Sequence, residues 1–226
     1  MASAAVKPPE KQAVNFDGAT GAIRVPDTVA FHSLSNALTL EVWFKANSFA
    51  PNEMGVNSLL RKNIEAGKEN FFIRFRTRQG KPTVEFCCGL RIGILPASYP
   101  FERNKWYHLA GTYDGEFAKV FVNGQNVATR RFEGEIEVDD SELLIGRGDP
   151  LFSGGEYFDG SLAGIRIWNV SRSAEQILAS MNGSLTGTEP GLVACWSFVD
   201  GKAKDLCGHG NDAQLSGEAK IVAVGP

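Results

Sequence analysis

One stretch constrains the fold of this 226-residue chain more than any other. It runs Trp106-Tyr107-His108-Leu109-Ala110-Gly111-Thr112-Tyr113, then Asp114-Gly115, then Lys119-Val120-Phe121-Val122, then Asn123-Gly124. Both apolar runs have the look of half-buried strands. Trp106, His108, Ala110 and Thr112 share one face of the first; Tyr107, Leu109 and Tyr113 share the other. Asn123-Gly124 tolerates the positive φ angles of a two-residue primed turn, so the chain folds straight back after it. The rest of the sequence can be laid against this central pair.

Residues 13–16 and 23–25 read as short strands around Asp17-Gly18. Residues 38–45 alternate cleanly, with Leu38, Leu40, Val42 and Phe44 on one face and Thr39, Glu41, Trp43 and Lys45 on the other. Residues 71–78 and 83–88 form a hairpin about Gln79-Gly80-Lys81-Pro82. A symmetric turn of that length sets Arg76 opposite Glu85 and Phe75 opposite Phe86. Arg74, Arg76, Arg78, Thr83, Glu85 and Cys87 then share one face, and Ile73, Phe75, Val84, Phe86 and Cys88 the other. Further strands are expected at 58–61, 91–95, 127–131, 143–145, 161–169, 192–198, 204–205 and 213–215. Ser173 with Gln176 is a capping box that starts one short helix, ending near Ser180. Residues 49–57 and the Gly-rich 146–159 are loops, the second long enough to be a candidate for function. About a dozen strands, one short helix and no βαβ rhythm predict an all-β antiparallel sandwich or barrel.

Composition sets the remaining bounds. With 43% apolar and 22% charged residues, the chain can build one substantial core. It reads as a polar tail over residues 1–12 followed by one domain over 13–226. A net charge of −3 gives no general attraction to nucleic acid or anionic lipid. No apolar run approaches the roughly 18 residues of a spanning helix, and the first residues lack the apolar centre of a secretory signal. Four cysteines are too few for a disulfide scaffold. Cys87 and Cys88 face opposite sides of one strand. Cys195 and Cys207 either close a short loop in an oxidising compartment or are two small half-buried residues.

The ordered motifs resemble a known family. They are Phe16-Asp17-Gly18, Leu38 to Lys45, Trp106 to Gly115, Val122-Asn123-Gly124, Leu144-Ile145-Gly146, and Phe158-Asp159-Gly160 with the alternating run to Asn169. Together they resemble the laminin-G-like jelly rolls of the concanavalin A-like lectin/glucanase superfamily, to which pentraxins also belong. The segments Ala194-Cys195-Trp196-Ser197-Phe198 and Asp205 to Ala213 resemble one that opens many members; here it closes the domain, which implies neighbouring chain ends. The resemblance implies a two-sheet jelly roll, often with a structural Ca²⁺. It also implies an extracellular setting and binding of a carbohydrate or protein partner rather than catalysis.

Five candidate sites follow. Asp17 and the group Asp205, Asn211 and Asp212 lie on turns at the two ends of the chain and could share a structural Ca²⁺; the alternative is that they serve turn geometry. A pentraxin-type calcium site, implied by the resemblance, would use acids just after Leu144-Ile145-Gly146. There Arg147 and Gly148 stand, with only Asp149 and Glu156 remaining. Arg74, Arg76 and Arg78 form a basic stripe whose forks suit sulfate or carboxylate. With Trp43 on a shared concave face they would bind an acidic glycan; otherwise they are a solvated face paired with Glu85. Glu137, Asp139 and Glu142 have the spacing of laminarinase-type hydrolases, in which Glu137 and Glu142 would stand about 5–5.5 Å apart for a retaining mechanism. Asp205, Cys207 and His209 alternate, but zinc needs better-spaced Cys/His pairs. His108 has no nucleophile near it and is expected to be a packed sheet histidine. The leading expectation is a lectin-like, non-catalytic binding module. A structural or assembly protein docking onto a protein partner comes second, and a glucanase third.

Overall fold

A computed structural model describes residues 7–49, 55–63, 69–89, 92–148, 156–198 and 202–224. Among the described residues sixteen strands form two antiparallel sheets. They are β1 (Gln12–Asp17), β2 (Ala22–Val25), β3 (Leu38–Ala46), β4 (Val56–Asn63), β5 (Glu69–Arg78), β6 (Lys81–Cys87), β7 (Ile94–Ser98), β8 (Trp106–Tyr113), β9 (Phe117–Val122), β10 (Gln125–Arg131), β11 (Leu143–Ile145), β12 (Asp159–Trp168), β13 (Leu192–Ser197), β14 (Lys204–Asp205), β15 (Gln214–Ser216) and β16 (Lys220–Ala223). One sheet has the order β10-β9-β8-β3-β12-β1-β16, with β13 and β14 continuing from β12; the other runs β15-β2-β11-β4-β5-β6-β7. This is the all-β two-sheet sandwich that the alternation predicts.

The core lies between the sheets. Leu38, Leu40, Val42 and Phe44 enter it from β3, and Tyr107, Leu109 and Tyr113 from β8, as their period-two pattern requires. Ile73, Phe75, Val84, Phe86 and Cys88 meet them from the facing sheet. Gly111 permits the closest approach: a Cβ there would stand 2.4 Å from the Phe86 ring. Phe44, Phe75, Phe101 and Tyr107 interlock mostly edge to face, with Phe44 and Tyr107 stacked. Asn123 and Gly124 take φ of 50° and 77°, closing the expected primed turn between β9 and β10.

One helix, α1 (Ala174–Met181), follows the Ser173–Gln176 capping box. It lies across the outer face of the nine-stranded sheet, where Ile177 packs on Ala110 and Phe121, and Met181 on Trp43 and Ala163.

Several details depart from the sequence reading, among them the strand expected at 91–95, which is found at Ile94–Ser98. The β5–β6 turn is the two residues Gln79 and Gly80, with φ of 51° and 72°, so Lys81 and Pro82 belong to β6. Arg74 therefore faces Glu85, Arg76 faces Thr83 and Arg78 faces Lys81, a slip of two residues that keeps each side chain on its expected face. A 3-10 turn at Val29–Leu34 and strand β16 are additional. Residues ahead of β1 are packed as well: Glu10 Oε1 accepts from Arg166 at 2.9 Å. The pairing of β1 with β16 brings the two ends of the described chain together.

Candidate binding site

Trp43 is not a ligand platform. It is fully buried on the outer face of the nine-stranded sheet, covered by α1. Its Nε1–H donates to the Met181 carbonyl at 3.3 Å, and its ring meets His108 edge-on at 5.3 Å. The arginine stripe belongs to β5 in the other sheet, so Trp43 and Arg74 to Arg78 share no surface. The concave-face site expected from the sequence is absent for that reason.

Around Trp43 runs a buried polar seam. Glu41 Oε2 accepts from Ser180 Oγ at 2.9 Å and lies 3.2 Å from His108 Nε2 and 3.7 Å from Arg166. Arg172 Nε is 3.4 Å from the other Glu41 oxygen. Burial pushes the Glu41 carboxyl up, but His108, Arg166 and Ser180 outweigh it and leave the group below its ordinary value of 4.5. His108 is thus the packed sheet histidine that was expected. Because the folded value is depressed, this carboxylate contributes stability that is fully present above 4.5 and is lost as the pH falls through the folded value. Glu41→Gln should therefore destabilise the fold at neutral pH. The gap to wild type should narrow in strong acid, as read by urea titrations across pH; a pH-independent gap would refute the role.

The stripe itself divides. Arg74 is buried and held by Glu85 at 2.8 Å and Glu156 at 3.4 Å. Arg76 is 26% exposed and bonded to the other Glu85 oxygen at 2.8 Å. Arg78 is exposed and stands directly across the ladder from exposed Lys81. Among the described residues neither has a carboxylate partner. Like charges in directly opposed positions repel, which leaves this end of the hairpin electropositive. Beside it opens a groove of about 550 Å³ lined by Lys81, Pro82, Thr83, Ser98, Tyr99 and Phe101, among others. Tyr99 is half-buried there, its ring held by Phe101 at 4.9 Å and Tyr107 at 5.9 Å. Lys81, the Thr83 and Ser98 hydroxyls and the Tyr99 ring all line this groove, and Arg78 stands on the strand next to it, opposite Lys81.

Glu156 explains why the pentraxin-type calcium site does not fit. Its carboxylate is 2% exposed and already held by Ser58 Oγ at 2.9 Å, Arg61 at 3.3 Å and Arg74 at 3.4 Å. Gly148 abuts it so closely that a Cβ would fall 2.0 Å from Glu156 Oε2. Guanidinium groups stand where a cation would have to enter. Asp149 and the rest of 149–155, half of the loop over 146–159, lie outside the described residues, as does the middle of 49–57.

The terminal carboxylates do not fit a shared Ca²⁺ either. Asp17 Oδ1 accepts the backbone N–H groups of Ala19, Thr20 and Gly21, and Oδ2 the Thr20 hydroxyl. Burial pushes this carboxyl up, yet those bonds hold it far below the ordinary carboxylate range. Asp205 accepts from Cys207, His209 and Asn211 N–H, and Asp212 from Asp205 N–H. Asn211 Oδ1 takes the Thr28 hydroxyl at 2.6 Å. Asp205, Asn211 and Asp212 thus meet in one turn, with the carboxylate oxygens of Asp205 and Asp212 accepting from its backbone N–H groups. Cys195 and Cys207 are free thiols in one apolar cluster with Trp168 and Leu192; burial raises both to about 12. Of the hydrolase-spaced acids, Glu142 is bound in bidentate fashion by Arg24 at 2.8 and 2.9 Å, Asp139 Oδ1 accepts from Ser141, and Glu137 lies in the loop before β11.

A second groove, of about 500 Å³, lies near the other rim and includes Val29, Ala30, Ser33, Asn169, Leu192 and His209. Val29 is 82% exposed, and Val170 and Leu206, also exposed, flank its glycines 191 and 187.

The fold is a two-sheet antiparallel jelly roll. A laminin-G-like family model of the concanavalin A-like lectin/glucanases superfamily matches residues 17–178, and the chain belongs to that family. Mouse pappalysin-1 is 24% identical over 160 residues, 65% of this chain; the chain spans about a tenth of that relative's length. Among solved structures, a Bacteroides ovatus protein assigned as carbohydrate-binding is 21% identical with a TM-score of 0.72, over 96% of this chain and 61% of that one. The heptameric SAP-like pentraxin of Limulus polyphemus gives 14% identity and a TM-score of 0.62, over 91% and 94%. These structural likenesses establish the fold. Among the described residues no helix is long and apolar enough to cross a membrane.

Proposed function

We propose that this chain is a non-catalytic carbohydrate-binding module that takes an acidic glycan in the groove beside Tyr99. One observation carries the reading: Lys81, which lines that groove, stands opposite Arg78 with no carboxylate partner for either among the described residues. The two cations would meet the sulfate or carboxylate, Tyr99 would stack on a sugar face, and Thr83 and Ser98 would accept and donate to hydroxyls. The family and the Bacteroides neighbour support carbohydrate as the ligand class.

A glycan array probed with and without chelator tests it. Binding to sulfated or uronate glycans should persist in chelator and weaken with salt, since the contacts are exposed. Arg78→Ala with Lys81→Ala should lower affinity for acidic glycans at least tenfold, about 1.4 kcal/mol. Tyr99→Ala should weaken acidic and neutral sugars alike. No glycan bound at high protein concentration would remove the reading.

That outcome would favour the second one, docking onto a protein partner. Its support is the exposed Val29 that lines the second groove, with exposed Val170 packed beside Gly191 of that groove.

A further inference from the structure

The acidic run at 137–142 has no place in carbohydrate binding, yet part of it converges on a histidine. Asp27 follows β2, His32 lies in the 3-10 turn Val29–Leu34, and Asp140 lies in the loop before β11. His32 Nε2 is 2.9 Å from Asp27 Oδ2 and 3.8 Å from Asp140 Oδ1. The three ligand atoms lie within 4.8 Å of one another. Nitrogen and oxygen ligands about 2.0–2.1 Å from a tetrahedral ion are spaced about 3.3 Å apart, a value that the two measured distances bracket.

We propose that Asp27, His32 and Asp140 form a binding site for a divalent transition metal of the zinc class. The imidazole separates this group from an ordinary acidic patch. Calcium and magnesium seek six or more oxygens, whereas a mixed nitrogen and carboxylate set suits zinc and its neighbours. Three side chains leave a fourth position to solvent, and the site is open: His32 is 41% exposed and Asp140 94%.

Two further features prepare it. Buried Lys62 donates to Asp27 Oδ1 at 2.7 Å, so Oδ2 is left to face His32. The same ammonium donates to the carbonyls of Asp139, at 2.9 Å, and Ser141, the two residues flanking Asp140. One buried cation therefore orients two ligands from behind, as outer hydrogen bonds do in metal sites. The charges point the same way. Lys62 lies 2.7 Å from Asp27 and 3.8 Å from Asp139, and Asp140 lies 3.8 Å from His32, so three carboxylates share one ammonium and a divalent ion would neutralise the excess.

Calorimetric titration of the chelator-stripped protein with zinc chloride alone tests the site. One equivalent should bind per chain, and cobalt(II) should give the visible absorption of a four-coordinate centre. Asp140→Asn, at an exposed position, should keep the metal-free melting temperature and weaken zinc by more than about tenfold. His32→Gln, which can still bond Asp27, should do the same. Cys207→Ser should leave binding intact, because the Asp205, Cys207 and His209 turn is not the site. Absence of a stoichiometric heat, or zinc binding that survives both Asp140→Asn and His32→Gln, would overturn the assignment.

Discussion

Glu156→Ala should cost at least about 3 kcal/mol of unfolding free energy, the lower end of what removing one partner from a buried ion pair does. The lower end applies because Arg74 keeps Glu85 at 2.8 Å. For a chain of this size that is a fall of about 6–12 °C in melting temperature. The reason is geometric. Glu156 reaches Ser58, Arg61 and Arg74 on two adjacent strands of the seven-stranded sheet, and its own carbonyl accepts the Ser58 N–H at 2.9 Å. Deleting the carboxylate takes this counter-charge from two guanidinium groups that the fold keeps out of water. Glu156→Gln retains an acceptor and the side-chain shape, so it should lose less than the alanine variant. Added Ca²⁺ should restore neither, since the arginines remain in place. Denaturant titration in low and high salt reads the difference. A loss below about 1 kcal/mol that disappears in salt would mean that the cluster is a solvated surface pair.

Much of the architecture was legible because strands announce their faces. The run Leu38 to Lys45 shows its core side by alternation alone, and Ser173 with Gln176 marks the helix start without tertiary knowledge. Strand β16 was not legible, since Lys220–Ala223 is short and mostly exposed and so carries little apolar signal. The hairpin register was lost to one ambiguity. Gln79-Gly80-Lys81-Pro82 can serve as a four-residue loop, or Gln79-Gly80 can close the turn alone. Only the second puts Lys81 across from Arg78, and the candidate site depends on that pair. Pairing of the stripe with Glu85 lies within one hairpin and was readable as a shared face, although Arg76 rather than Arg74 was expected opposite it. The Glu156 contact spans 82 residues, and no local pattern encodes it. Alternation likewise places Trp43 on the outer face but is silent on what covers that face. The covering helix arrives more than 130 residues later, with the Trp43–Met181 bond spanning 138 positions.

That last point can be tested by the substitution that separates the two roles of Trp43. If Trp43 were a sugar platform, Trp43→Ala would abolish glycan binding and leave stability nearly unchanged, because a platform residue is exposed. The structure requires the reverse. Trp43 is completely buried among Ala13, Ala163 and Met181. Truncating a buried tryptophan to alanine costs about 3–5 kcal/mol, through lost burial and the cavity left behind. The melting temperature should therefore fall by about 6–20 °C. The Met181 carbonyl also loses its donor, so the C-terminal end of α1 should exchange its amide hydrogens sooner than the sheet beneath it. The remaining folded protein should bind acidic glycan with wild-type affinity, because Tyr99, Arg78 and Lys81 belong to the other sheet and its margin. Calorimetric melting and glycan titration on the same preparation decide between the two. Full stability with lost affinity would return Trp43 to the binding surface; lost stability with intact affinity makes it the pin that fastens α1 to the sandwich.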